Sequence, residues 1–335
     1  MMYQASNEYN FHIIKQGRFR FFLERLFVNT RISAIGGEAS GSSVSYASRG
    51  AGFQEKQRSE MGYGLEMEES VMRTAAKLMV ECLVTEGVQY IFGIPGEENL
   101  ELIQAIADEP RLHFVVVRHE QGAAFMADVY GRLTGKAGVC LATLGPGATN
   151  LVTGVADANL DGAPLVAITG QVSSDQMHLT SHQNLDLAKI FEPITKRTKL
   201  VMRPDTVNEI VRLAFKYAEG GAGRMGAAHI DLPVDIAKMQ VSGLEMPLMK
   251  DVVCQQEAEE SQIQMAAESI RTARKPLIFV GNNAVHYASS QVITAFAEKL
   301  HIPVVNTMMA KGIVSADNRY SMMTIGIPQR DYVNR

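Results

Sequence analysis

The sequence predicts an α/β protein in which a parallel sheet flanked by helices is followed by a partial second α/β domain. Three observations carry this. From residue 70 onward, helical and strand-like segments alternate. The strand-like segments are apolar throughout, as strands buried on both faces under crossover helices must be. The cadence breaks between about 240 and 260, around Gly243, Pro247 and the acidic Glu257, Glu259 and Glu260. It then resumes, so the break is a linker.

Each element has its own justification. Ala75, Leu78, Met79, Cys82 and Leu83 lie at helical spacing within 74–86, and Gly87 supplies the stop. The apolar run 88–92 is a strand that feeds the turn Gly93-Ile-Pro-Gly96. Helix 99–107, strand 114–117, helix 122–133, strand 138–142, helix 148–158 and strand 165–169 repeat the cadence. Helix 207–218 and strand 227–231 close the first domain. Helix 263–273, strand 276–281, helix 289–300 and strand 302–306 form one βαβ unit and its lead-in. The domain spans are therefore 72–240, a linker at 241–260, and 261–335 as a second domain cut short.

Residues 1–66 show no sustained period, and the small polar stretch 33–45 has the character of a flexible segment. They are expected to be unstructured, or to precede a true start at Met61, Met67 or Met72. A short basic amphipathic segment over 11–27 leaves organelle targeting open, whereas Glu8, Glu24 and the missing apolar core argue against a secretory signal. Lys plus Arg number 32 against 36 Asp plus Glu, a net charge of −4, which excludes nucleic-acid binding driven by net charge. The longest apolar runs, such as 163–169, fall far short of the roughly 20 residues of a membrane span. Cys82, Cys140 and Cys254 lack metal-ligand spacing, so neither a disulfide framework nor a zinc site is expected, and a reducing, cytoplasmic location fits.

Glu120 opens the segment His119-Glu-Gln-Gly-Ala-Ala-Phe-Met-Ala-Asp-Val-Tyr-Gly131 where a parallel strand ends. Ligands sit at such ends. A carboxylate there is equally a helix first-turn residue favoured by the dipole, whereas a buried carboxyl shares a proton with a ring nitrogen. Gly145 and Gly147 in Thr143-Leu-Gly-Pro-Gly-Ala-Thr-Asn150 allow a ligand to approach the backbone. A tight strand-to-helix turn explains them equally, and Gly93-Ile-Pro-Gly96 is similarly open. His182 and Gln183 belong to a polar cluster that is either a substrate contact or a surface loop. Gly281-Asn282-Asn283 is expected to be a turn, with a nucleotide pocket as the other reading.

Jointly, the segments 91–99, 118–132, 144–150, 161–171 and 229–233 resemble the amino-terminal half of thiamine-diphosphate-dependent enzymes of the acetolactate synthase type, over about residues 72–335. The resemblance implies a pyrimidine-binding domain at 72–240 and the start of a central domain at 261–335. It implies a carboligase that decarboxylates pyruvate on thiamine diphosphate and joins the product to a second 2-oxo acid, in branched-chain amino acid biosynthesis or acetoin formation. By the same resemblance Glu120 meets the pyrimidine nitrogen, with Pro95, Gly96, Pro146, Gly147 and Asn150 lining the cofactor cleft and His182 and Gln183 on the catalytic side.

Departures from the family pattern refine this. His182 and Val234 stand where the FAD-containing branch carries Phe and Lys, so the chain resembles the catabolic branch and FAD is not expected. Arg224-Met225-Gly226 replaces a basic-Pro-Gly turn and keeps a flavin contact through Arg224 open. The magnesium motif, Gly-Asp-Gly followed by Asn-Asn, does not occur. The chain itself is expected to hold no metal, to be incomplete and inactive alone, and to place Mg2+ in a carboxy-terminal domain. Its expected partner is a second copy, as a homodimer or homotetramer, or a carboxy-terminal half. The alternative is a non-catalytic binding or regulatory fragment of the same fold.

Overall fold

The computed structural model describes residues 73–180, 183–242, 244–250, 258–287 and 289–326. The expectations for residues 1–66, for His182 and for much of the acidic linker fall outside the described residues. The described residues divide into two compact units, 73–250 and 258–326.

The first unit opens with β1 (Arg73–Thr74) and α1 (Ala75–Thr85), whose N-cap Thr74 accepts a hydrogen bond from the Lys77 amide at 3.3 Å. There follow β2 (Tyr90–Gly93), α2 (Leu100–Ala107), β3 (His113–Val116), α3 (Glu120–Thr134), β4 (Gly138–Ala142), α4 (Pro146–Asp161) and β5 (Leu165–Gln171). Then come α5 (Leu187–Phe191), β6 (Arg197–Leu200), α6 (Val207–Ala218), β7 (Ala227–Pro233), α7 (Val234–Lys238) and β8 (Gln240–Val241). Six strands form one parallel sheet in the order β3-β2-β4-β5-β7-β6, and β1 pairs antiparallel with β8. The central β4 and β5 are buried at every position, including the polar Thr169 and Gln171 of β5.

Alternation along the strands divides the core. Val139, Leu141, Val166 and Ile168 face Leu78 and Leu83 of α1, Leu102 and Ile106 of α2, and Val211 and Phe215 of α6. Cys140, Ala142, Leu165 and Ala167 face Ala123 and Ala127 of α3, Leu151 and Val155 of α4, and Leu187 and Phe191 of α5.

The parallel sheet with flanking helices agrees with the expectation, and several boundaries need correction. The strand expected at 88–92 is Tyr90–Gly93, because Val88 closes the α1 turn by donating to Leu83 O. The helix expected from Gly122 begins at Glu120, since the His119 ring nitrogen accepts from the Gln121 amide and caps it. Gly145 allows the next helix to start at Pro146 instead of Ala148. Edge strand β6 was not anticipated: its Arg197, Thr198 and Lys199 lack the apolar run of the central strands.

The second unit contains α8 (Glu260–Thr272), β9 (Ile278–Val280), α9 (Asn282–Tyr287), α10 (Ser290–Leu300), β10 (Val304–Asn306) and β11 (Ser321–Thr324). Its parallel sheet runs β11-β10-β9 over a core that includes Ile263, Val280, Ile293, Phe296 and Val304. Asn282 and Asn283, expected in a turn, open α9 instead.

One buried ion pair ties α6 to the end of α1: Arg212 donates to Glu86, and both side chains are buried. Burial raises the Glu86 carboxyl above its ordinary range, and the Arg212 guanidinium pulls it back down. Removing one partner strands a charge in a dry site. Arg212→Ala is expected to cost about 3–5 kcal/mol in a denaturant melt. The double change Arg212→Met with Glu86→Leu is expected to recover most of that; a double variant no better than the single would contradict it.

Candidate functional site

The strand order reverses at β2. The chain steps outward from β2 to β3, then returns on the other side of β2 as β4. The helices that follow β2 and β4, α2 and α4, pack on opposite faces of the sheet. Their entry loops therefore part at the carboxyl ends of these strands, and such a parting is where open α/β sheets take ligands.

The loop after β2 is pinned by Asn99, which is buried: the Gly96 amide donates to Asn99 Oδ1 at 2.8 Å, and Asn99 Nδ2 donates to Ile94 O at 3.2 Å. Across the parting stands Thr143, just past β4, whose hydroxyl donates to Glu98 Oε2 at 2.7 Å. A Cβ on Gly96 would lie 2.5 Å from Thr143 Cβ, and one on Gly147 would lie 2.8 Å from Thr143 Cγ2. Both positions must lack side chains for the loops to close on the threonine. Pro95 and Pro146 stand exposed at the rims.

The Glu120 carboxylate reaches the same place from α3. It is half-buried, Asn150 Nδ2 of α4 donates to its Oε2 at 3.0 Å, and its Oε1 lies 3.7 Å from the position of a Cβ on Gly147. Glu120 is also the first residue of α3, so it satisfies the dipole as well as facing the crevice. Gln183 is exposed, sits in the left-handed region at φ +57°, and packs against Gly145, itself at φ +54°. A Cβ on Gly145 would meet Gln183 Cβ at 2.6 Å.

The structure thus brings Gly96 and Gly147 together on Thr143, with Glu120 beside Gly147 and bonded to Asn150, and Gln183 against the neighbouring turn. Thr143, Glu98 and Asn99 were not singled out from the sequence. Thr143 heads the quoted Thr-Leu-Gly-Pro-Gly segment, and its position directly before a Gly-Pro-Gly turn is the signal that would have found it. Among the described residues, no group of three His, Cys, Asp or Glu side chains could hold a metal ion. Among them, too, no helix is long and apolar enough to cross a membrane.

Residues 73–190 match the family model of the thiamine pyrophosphate enzyme N-terminal TPP binding domain, and residues 263–335 match that of the thiamine pyrophosphate enzyme central domain. The chain belongs to the thiamine pyrophosphate enzymes. The N-terminal model spans every crevice residue from Pro95 to Gln183. Similar curated proteins include acetolactate synthases of Mycobacterium bovis, 38% identical over 74% of this chain and 40% of that protein, and of Arthrospira platensis, 40% identical over 76% and 45%. Acetolactate synthase 3, chloroplastic, of Brassica napus is 36% identical over 78% of the chain and 40% of its own length. This thiamine pyrophosphate enzyme chain therefore spans less than half the length of these relatives.

The contact at Thr143 has a direct test. Gly147→Ala is expected to cost about 1–3 kcal/mol, because the new methyl overlaps Thr143 Cγ2. Adding Thr143→Ser removes that methyl, keeps the hydroxyl for Glu98, and is expected to restore most of the loss. Equal melting midpoints for Gly147→Ala and the unaltered protein would show that the loop is not packed this way.

Proposed function

We propose that this chain is the pyrimidine-holding part of an acetolactate synthase-like carboligase, acting on pyruvate and a second 2-oxo acid. One observation carries the reading: the Glu120 carboxylate, fixed by Asn150, stands beside Gly147 at the parting where the loops after β2 and β4 close on Thr143. A carboxylate held at such a parting can share a proton with a heteroaromatic ring nitrogen.

When bound, thiamine diphosphate supplies the electron sink for cleaving the bond between the keto carbon and the carboxylate. The chain's own work is positioning and proton transfer. Glu120 Oε1 would share a proton with the pyrimidine nitrogen while Asn150 holds Oε2. Pro95, Gly96, Pro146 and Gly147 would line the ring's cleft, with Gln183, packed on the Gly145 turn, on the catalytic side. Magnesium and the diphosphate are assigned to a further domain, contributed by a second copy or a carboxy-terminal half. An apolar row on α3, the exposed Phe125, Val129 and Leu133, supports assembly, since soluble monomers rarely expose such a stripe.

The test combines the chain with a separately produced carboxy-terminal half, thiamine diphosphate, magnesium and pyruvate, and measures acetolactate. Activity is expected from the mixture, and none from either half alone. Glu120→Gln keeps the shape and the Asn150 contact and is expected to lower turnover by about 10²-fold or more. If Glu120 is only a first-turn residue, the change costs about 0.3–1 kcal/mol of stability and leaves turnover intact. That result would sink the assignment.

A further inference from the structure

Residues 244–250 follow β8 in the stretch expected from the sequence to be a linker, yet polar groups of the first unit hold them along α6. Met246 O accepts from Nδ2 of Asn208, in the first turn of α6, at 2.9 Å. The Met246 sulfur lies 3.7 Å from Arg73 Nη2. At the other end of the helix, Lys250 Nζ donates to Oε2 of Glu219, the α6 C-cap. The run thus has an anchor at each end of α6.

Each anchor is itself held by the first unit. Asn208 Oδ1 accepts from the Glu209 amide at 2.8 Å. Arg73 pairs with Glu81 and stands opposite Val241 in the β1–β8 ladder. Glu219 Oε1 accepts from the Ala137 amide at 3.1 Å, just ahead of β4, and its side chain is 13% exposed against 41% for Lys250. The anchors therefore belong to the packed body, and the run is the part that can leave. Its apolar side chains do not keep it there, because Leu244, Met246, Leu248 and Met249 are all exposed. A segment held at a few polar points with no buried apolar face lies at the low end of local stability.

The run also has little slack. From Asn208 to Glu219 the helix rises roughly 17 Å. Met246 to Lys250 spans at most about 14 Å when fully extended, and the lysine side chain covers the remainder.

We infer that residues 244–250 are a strap of the first unit, which while docked starts the connection to the second unit at Lys250 and which lengthens that connection by lifting off α6. Ala258 is the first described residue of the second unit. From Lys250 it is within a reach of at most roughly 29 Å, and from Ser242, where the connection starts once the strap has lifted, within roughly 58 Å. The strap halves the tether. Its two main holds differ in kind: Lys250–Glu219 is a part-exposed ion pair that salt screens, whereas the Asn208–Met246 bond is neutral.

Limited trypsin digestion of the full chain reads the docking. Cleavage after Lys250 requires Nζ to leave Glu219 and the run to enter the protease, so its rate follows the lifted population. Cleavage after Arg274, exposed in the second unit, serves as the reference. Asn208→Ala and Glu219→Gln are each expected to raise the ratio of the two rates by about fivefold or more. Raising salt from about 0.05 to 0.5 M is expected to raise the ratio in the unaltered protein and in Asn208→Ala, and to leave it unchanged in Glu219→Gln.

Spin labels read the tether. They are placed at the exposed positions 77 and 275 by Lys77→Cys and Lys275→Cys, with Cys254→Ser, while Cys82 and Cys140 are buried. Combining Asn208→Ala with Glu219→Gln is expected to move the long edge of the label-to-label distance distribution outward by about 10 Å or more. A ratio unmoved in both variants, a salt response that survives Glu219→Gln, or an unchanged distance distribution would each overturn the inference. Neither readout depends on whether Glu120 meets a pyrimidine.

Discussion

The crevice depends on one contact, the closure of two loops onto Thr143. Its hydroxyl takes Glu98 and so ties the loop after β2 to the loop after β4. Its methyl and Cβ fill the space that side chains at positions 96 and 147 would otherwise claim. Because a packed floor admits no extra atom, the two glycines are required by geometry and not by flexibility. Glu120 borders this contact, since its Oε1 stands 3.7 Å from the Cβ position of the Gly147 that packs on Thr143.

Helix α3 couples the crevice to the rest of the first unit. At its start stands Glu120. Two turns on, Asp128 is buried and accepts from Arg132, which also bridges to Asp157 and Asp161 of α4. Burial raises the Asp128 carboxyl, and Arg132 offsets part of that rise. The pairing of α3 with α4 therefore fixes the distance between Glu120, the first residue of α3, and Asn150, one turn into α4. The same helix leaves Phe125, Val129 and Leu133 exposed on its outer face.

Much of the first unit was legible because its strands are buried on both sides, so β4 and the first four residues of β5 read as continuous apolar runs. Strand 138–142 and helix 207–218 have the expected bounds. Legibility failed where polarity and structure part company. β6 carries Arg197 and Lys199 on a sheet edge, and α5 and α7 are too short to show a period. Glu120, Gly96, Gly147 and Asn150 were visible as residues, whereas Thr143 and Glu98 were not, since a threonine and a surface-type glutamate look ordinary until two loops are brought together. Thr169, Gln171, His229 and Asp231, the buried polar residues of β5 and β7, lay within quoted segments. Their signal was polar residues two apart within apolar strands, placing each pair on one face.

The central claim is that the Thr143 closure creates a seat for a ring against Glu120. A structure of the chain assembled with a diphosphate-binding half, thiamine diphosphate and magnesium tests it most directly. The account predicts the pyrimidine nitrogen at about 2.6–3.2 Å from a Glu120 carboxylate oxygen, with the ring lying over Gly96 and Gly147. A bound cofactor whose ring lies elsewhere, with Glu120 still bonded only to Asn150, would contradict it.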